Sequence, residues 1–156
     1  MISQHLPRWI FASVSKHFYD NKGDYVLFIE GQNRSGVGLP SEPQYFELRM
    51  DGPDVIEVSK DVFRVNIEVN IVCSAAMNDE DFHLIHAMVG HIASKFTTIG
   101  VYKLGPVTDP VINDGSLIGC LNLNSRIEIR HFGQIKADVP LMQAWVEASY
   151  TNIFTF

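Results

Sequence analysis

The stretch from Asp61 to Cys73 (DVFRVNIEVNIVC) constrains this chain more than any other. Phe63, Val65, Ile67, Val69, Ile71 and Cys73 are apolar, and Arg64, Asn66, Glu68 and Asn70 stand between them. Strict period-two alternation over this length specifies an antiparallel strand with one face on a core and the other toward water or a partner. A helix pattern follows directly behind it. The rest of the chain then reads as strands that pair with this one and helices that cover it. The expected fold is α+β, a single domain in which a mixed, mainly antiparallel sheet is covered by two helices.

Composition narrows the function classes. A chain of 156 residues is one domain's worth and buries roughly 70% of its unfolded surface. Hydrophobic residues make up 46% and charged residues 19%, which is globular rather than disordered. The formal net charge of −6, with 12 scattered Lys and Arg, argues against phosphate-backbone binding, whose affinity comes from clustered cations. No sequence-specific nucleic-acid binding is expected. No apolar run approaches the roughly 20 residues of a membrane helix, and the amino terminus lacks the basic-then-apolar order of a signal peptide. The expectation is a soluble intracellular product, with Cys73 and Cys120 as free buried thiols rather than a bridge.

In chain order, residues 3–19 read as a helix with Leu6, Ile10, Val14 and Phe18 on one stripe, Pro7 in its first turn and Gly23 behind its end. Tyr25–Ile29 reads as a short strand buried on both faces. Residues 31–43, with three glycines and two prolines, make a loop too long to be ordinary in a compact domain. That loop is either plainly flexible or a partner-binding arm. It lacks the Lys-Ser/Thr of a phosphate loop. Residues 44–73 read as a meander of three strands, broken by the turn clusters Asp51–Asp54 and Ser59–Asp61. Asn78 to Asp81 offers a cap and first-turn acids to a helix over 79–97, along which Phe82, Ile85, Val89, Ile92 and Phe96 recur at helical spacing. Further strands are expected over 100–105, 117–123, 126–132 and 141–150. The loop 106–116 lies between the first two. The last strand sets Met142, Ala144, Val146, Ala148 and Tyr150 against Gln143, Trp145, Glu147 and Ser149.

Chemistry-bearing constellations are few. Asp79, His83 and His86 share one side of the second helix, as a metal site would require. The pattern is not that of a zinc protease, and no further ligand stands at a recognisable spacing. A solvated or interfacial histidine face is the simpler reading, with His91 pointing elsewhere. Glu128 and Glu147 fall on neighbouring strands and offer paired carboxylates for general acid–base work. Arg130 beside them points instead to ordinary ion pairing. Hydroxyls occur without a nucleophile elbow. Trp145 on a polar strand face sits either under a neighbouring element or at a protein interface. The residues alone support no catalytic assignment and no cofactor.

Several strings taken together carry a resemblance. They are Phe46–Pro53 (FELRMDGP), Ile67–Val72 (IEVNIV), Val101–Gly105 (VYKLG), Asp114–Leu121 (DGSLIGCL), His131–Ile135 (HFGQI) and Gln143–Tyr150 (QAWVEASY). In number and order they resemble a family of small phage tail-terminator, or tail-completion, proteins over residues 40–150. None of these strings is a chemical motif. The resemblance implies an α+β fold and a non-enzymatic virion structural protein at the tail–neck junction, assembled in the bacterial cytoplasm. It implies a homo-oligomeric ring, usually a hexamer, on the head-proximal end of the tail tube. Such a ring ends tube polymerisation and offers a joining surface to neck or head-completion proteins. A ring closes through a heterologous interface, so two different patches of each subunit must be complementary. Arg34 in the long loop, with Arg49, Arg64 and Trp145 on strand faces, are the expected interface residues. Three alternatives stay open: a head-completion or neck connector ring, a small metal-dependent enzyme using Asp79, His83 and His86, and an intracellular domain that binds a small ligand in an apolar pocket.

Overall fold

The alternating stretch lies at the middle of the sheet. A computed structural model describes residues 4–30, 44–76, 83–105, 114–134 and 141–155. In chain order its elements are α1 (Leu6–Asp20), β1 (Val26–Ile29), β2 (Gln44–Ser59), β3 (Val62–Ala76), α2 (Leu84–Ala93), β4 (Ile99–Tyr102), β5 (Leu117–Gln134) and β6 (Leu141–Thr155). The strands form one sheet in the order β1-β2-β3-β6-β5-β4. Only β1 and β2 run parallel; every other neighbouring pair is antiparallel. The sheet curls into a half-barrel, giving the expected α+β architecture with a mixed, mainly antiparallel sheet.

Period two decides which residues enter the core. Val65, Ile67, Val69, Ile71 and Cys73 are buried on one face of β3, where β6 sets Tyr150, Ala148, Val146 and Ala144 beside Ile67, Val69, Ile71 and Cys73. Phe46 and Leu48 of β2 join them. Burying each such aliphatic side chain contributes about 1.5–3 kcal/mol. The two helices supply the other half of the core, α1 lying against β4 and β2 and α2 against β6 and β3. Because α1 touches strands at both flanks of the sheet, the sheet must curl to bring them within its reach. Leu6, Trp9, Ile10, Val14 and Phe18 form its buried stripe, and Ile85, Met88, Val89 and Ile92 that of α2.

Polar groups join these layers at few points. Ser13, buried on α1, accepts a hydrogen bond from the backbone N–H of Tyr102 at 2.9 Å. His17 donates to the carbonyl of Lys95 at 2.8 Å, and His91 donates to the carbonyl of Asn21 at 3.1 Å, tying the carboxyl ends of the two helices together. Gly23 follows α1 with φ of 67°, and a Cβ there would stand 3.0 Å from the His91 ring. Both the backbone conformation and the close approach therefore favour glycine at this position. On β6, Asn152 donates to the Cys120 carbonyl and Tyr150 donates to the Thr97 carbonyl, so both polar groups are satisfied.

Several boundaries differ from the sequence reading. Residues 44–73 make two long strands, not a three-strand meander. The cluster Asp51–Asp54 is a bulge inside β2, where the register with β3 shifts, and the chain reverses only at Lys60–Asp61. Gly52 takes φ of 104° in that bulge and Asp61 takes 60° at the reversal, conformations that glycine and aspartate tolerate better than most residues. Residues 117–123 and 126–132 form the single strand β5, with an irregularity between Leu123 and Ile127. The strand expected over 100–105 is Ile99–Tyr102, and the last strand continues to Thr155. Among the described residues the first helix is Leu6–Asp20 and the second Leu84–Ala93, the latter ending before the expected 97; residues 3 and 79–82 of the expected helices lie outside the described residues. The cap expected at Asn78–Asp81, the loop 31–43 and most of the loop 106–116 lie outside the described residues. β1 flanks the sheet with only Leu27 buried, instead of being covered on both faces. Cys73 and Cys120 are free thiols as expected, though Cys120 is only half-buried.

Ser13→Ala removes the partner of the Tyr102 N–H in a part-buried hydrogen bond, and should cost about 1 kcal/mol in urea unfolding. Burial pushes the Cys73 thiol up to about 12 and holds the Tyr150 phenol well above its ordinary value. Above pH 8.5 the unfolded chain releases the Cys73 proton while the folded chain keeps it, so stability falls as pH rises. Unfolding free energy should drop by about 1.5 kcal/mol between pH 8 and pH 10, and Cys73→Ala should remove most of that slope.

Candidate functional site

The second face of the sheet is the one that neither helix covers among the described residues. Cross-strand registers arrange it in rows. Glu47, Val72, Trp145 and Arg130 form one row, and Arg49, Asn70, Glu147 and Glu128 the next. Asp51, Glu68 and Ser149 follow, then Asp54, Asn66, Thr151 and Asn122, and last Ile56, Arg64 and Ile153. The face has two halves. Tyr45, Val72 and Ser74 are buried at one end. From Asp51 to Ile56 the other end meets solvent, with Ile56 51% and Ile153 52% exposed on either side of Arg64.

Trp145 stands at the boundary between the halves. Its ring is half-buried, with the Arg49 guanidinium 5.8 Å from the ring centre and Phe132 edge-on at 5.2 Å. Arg49 is held by Glu47 at 3.3 Å, so the cation is fixed in place over the indole. A stack of this kind contributes about 0.5–1 kcal/mol where it is partly exposed. Beside it lies a depression of about 270 Å³ bordered by Arg49, Asp51, Glu68, Asn70, Trp145 and Glu147. A second depression of about 310 Å³ continues from it through Asp51 and Glu68 to Asp54, Asn66 and Thr151. The Asn70 Oδ1, shielded from water, has no hydrogen-bond partner among the described residues. Acids dominate this groove and Arg49 is its cation at one end, a balance that repels phosphate backbones.

Of the residues singled out from sequence, Arg49 and Trp145 are brought into contact. Arg64 shares their face but lies six positions along β3 from Asn70, about 20 Å away at the rise of a strand. Arg34 lies outside the described residues, as does Asp79. His83 and His86 are exposed with ring centres 6.1 Å apart, and His91 is turned elsewhere, against Tyr25. Sequence spacing missed His131, which β5 brings to 4.7 Å from His86. Only the register of β5 against β6 reveals that proximity. No group of three His, Cys, Asp or Glu among the described residues is arranged to hold a metal ion.

Glu128 and Glu147 do face each other across β5 and β6. Arg130 holds Glu128 at 2.8 Å, with Arg126 at 3.9 Å. The hydrogen bond from Arg130 keeps the Glu128 carboxyl below the usual carboxylate range. A general acid working near neutral pH needs the opposite shift. The pair has the geometry of a surface ion-pair network.

Protein purified without a tag should carry zinc, iron and manganese far below one ion per chain by elemental analysis, and added zinc should leave its unfolding midpoint unchanged. Stoichiometric metal lost on His83→Ala would revive the metal-dependent reading. No family model matches the chain, and no curated protein matches it in sequence.

Proposed function

We propose that this chain is a virion structural protein that caps the head-proximal end of a phage tail tube as a homo-oligomeric ring. The ring ends tube polymerisation and presents the surface to which neck or head-completion proteins join. The resemblance over residues 40–150 supplies the identity of the role. The observation that carries it is the second sheet face, which no described helix covers and which ends in exposed Ile56, Arg64 and Ile153. A shallow, acid-lined groove with a fixed Arg49–Trp145 stack at its border suits a broad protein contact better than an enclosed small-molecule site. Aromatic rings and arginines of this kind are the side chains that concentrate binding energy at interfaces.

The reading makes the tube protein, the neck protein and further copies of the chain its partners. It calls for no cofactor and no catalytic residue.

Disrupting the gene in the source phage and imaging lysates tests it. Overlong tubes beside filled, tailless heads are expected. Tails of normal length beside heads that leak DNA would move the protein to the head side of the neck, and intact infectious particles would overturn the proposal. Complementation with Trp145→Ala should reproduce the overlong tubes if this face meets the tube or a neighbouring subunit, while the purified variant keeps a cooperative unfolding transition.

A further inference from the structure

Two stretches of sheet edge lack a neighbour among the described residues. β1 pairs with β2 only from Tyr45 to Leu48, which leaves the outer side of β2 open from Met50 to Ser59. At the other flank β4 pairs with β5 only from Leu117 to Leu121, leaving β5 open from Asn122 to Gln134. An open edge presents a row of backbone donors and acceptors that pairs readily with another strand.

The two edges differ in charge. Between Met50 and Ser59 the β2 edge carries Asp51, Asp54 and Glu57 and neither Lys nor Arg. The β5 edge carries Arg126 and Arg130 with His131, and its one acid, Glu128, is bonded to Arg130. Asp51 and Asp54 lie on the same side of the sheet as Arg126 and Arg130, as the cross-strand registers require. Like charges placed opposite each other destabilise a strand pair, which disfavours β2 against β2 and β5 against β5. Pro53 and the bulge further block casual pairing on β2, leaving Asp54–Glu57 as its stretch of unbroken register before a second shift ahead of Ser59. On the helix side, Ile127 is 36% and Ile129 46% exposed, beyond the reach of α2. The direction also fits. β2, β3, β6 and β5 alternate in sense, so β2 and β5 are antiparallel within one chain. A rotation about an axis along the strands therefore brings the β5 edge of one copy antiparallel to the β2 edge of the next. β1 and β4 cover the remaining lengths of the two edges and act as end-stops for the register.

We propose that copies of this chain join head to tail by pairing the acidic β2 edge (Met50–Ser59) of one with the basic β5 edge (Asn122–Gln134) of the next, continuing one sheet from subunit to subunit. The contact is heterologous, as ring closure demands. It supplies the subunit interface of the proposed ring and rests on that reading for closure.

Sedimentation velocity over a concentration series tests the contact on the full chain. The wild type should self-associate in a salt-sensitive way. Asp51→Lys with Asp54→Lys should weaken association about tenfold, as should Arg126→Glu with Arg130→Glu. An equimolar mixture of the two variants, or all four changes in one chain, should restore it. Arg126→Glu alone, at a side chain 82% exposed, keeps the test open if the double change on β5 disturbs folding. A wild type that stays monomeric throughout overturns the proposal. So does assembly that ignores both sets of changes, or assembly that both sets weaken and their combination fails to restore. Insensitive assembly would leave the ring reading standing on another surface, whereas intact, infectious particles after gene disruption would remove the ring reading and leave this contact in place.

Discussion

The ladder that β3 makes with β2 on one side and β6 on the other carries the rest of the molecule. It runs the full length of β3, about 50 Å at the rise of an antiparallel strand. Slipping it by one residue would send Val65, Ile67, Val69 and Ile71 to the solvent side and Arg64, Asn66, Glu68 and Asn70 into the core. The burial lost would be comparable to the whole stability of an ordinary domain. Register is therefore fixed by the side chains of β3 itself, and the rows of the second face follow from it. Arg49 reaches Trp145 because both are placed from β3: Asn70 sets the row of Arg49, and Val72 sets the row of Trp145.

How much of this was legible in the sequence depends on which physical signal each feature carries. Amphipathic period marks burial, so α1, α2, β3 and β6 were readable, together with the inward set Ala144, Val146, Ala148 and Tyr150. Breaks were misread where turn-forming residues serve a bulge. Asp-Gly-Pro-Asp is a plausible reversal on local grounds, yet β3 continues unbroken opposite it, and pairing with β3 carries β2 through. The same holds for Asn124 and Ser125, a polar pair that stays within β5 where its register with β6 shifts. Local preference lost to tertiary pairing in both cases.

Coverage was the least legible property. Alternation states that two faces differ, but not which of them a helix will cover. Ile127 and Ile129 carry the same signal as Ile67 and Val69, and they fall on the same side of the sheet. Their exposure differs because α2 lies over β6 and β3 and meets β5 mainly at the His86–His131 contact. On the candidate site, sequence could nominate Trp145 and Arg49 as an aromatic and a cation on polar faces. Their contact depends on a register that no local pattern states. Arg64, nominated on the same grounds, lies far along the strand beside Ile56 and Ile153, in different company.

The uneven covering of the sheet is what links fold to assembly. A sheet that curls around α1 must stop somewhere, and each stopping edge exposes backbone groups that natural proteins shield with bulges, proline, charge or a short extra strand. This chain uses all four, but not symmetrically. β1 and β4 each shield four or five residues, Pro53 interrupts one edge, and the charges left on the two long open stretches are of opposite sign. Protection against indiscriminate pairing needs no such opposition, because two acidic edges would repel each other as well as any partner. Opposite signs on opposite flanks instead permit one pairing and penalise the two symmetric ones, which is the condition a directional, repeating contact between identical subunits has to meet.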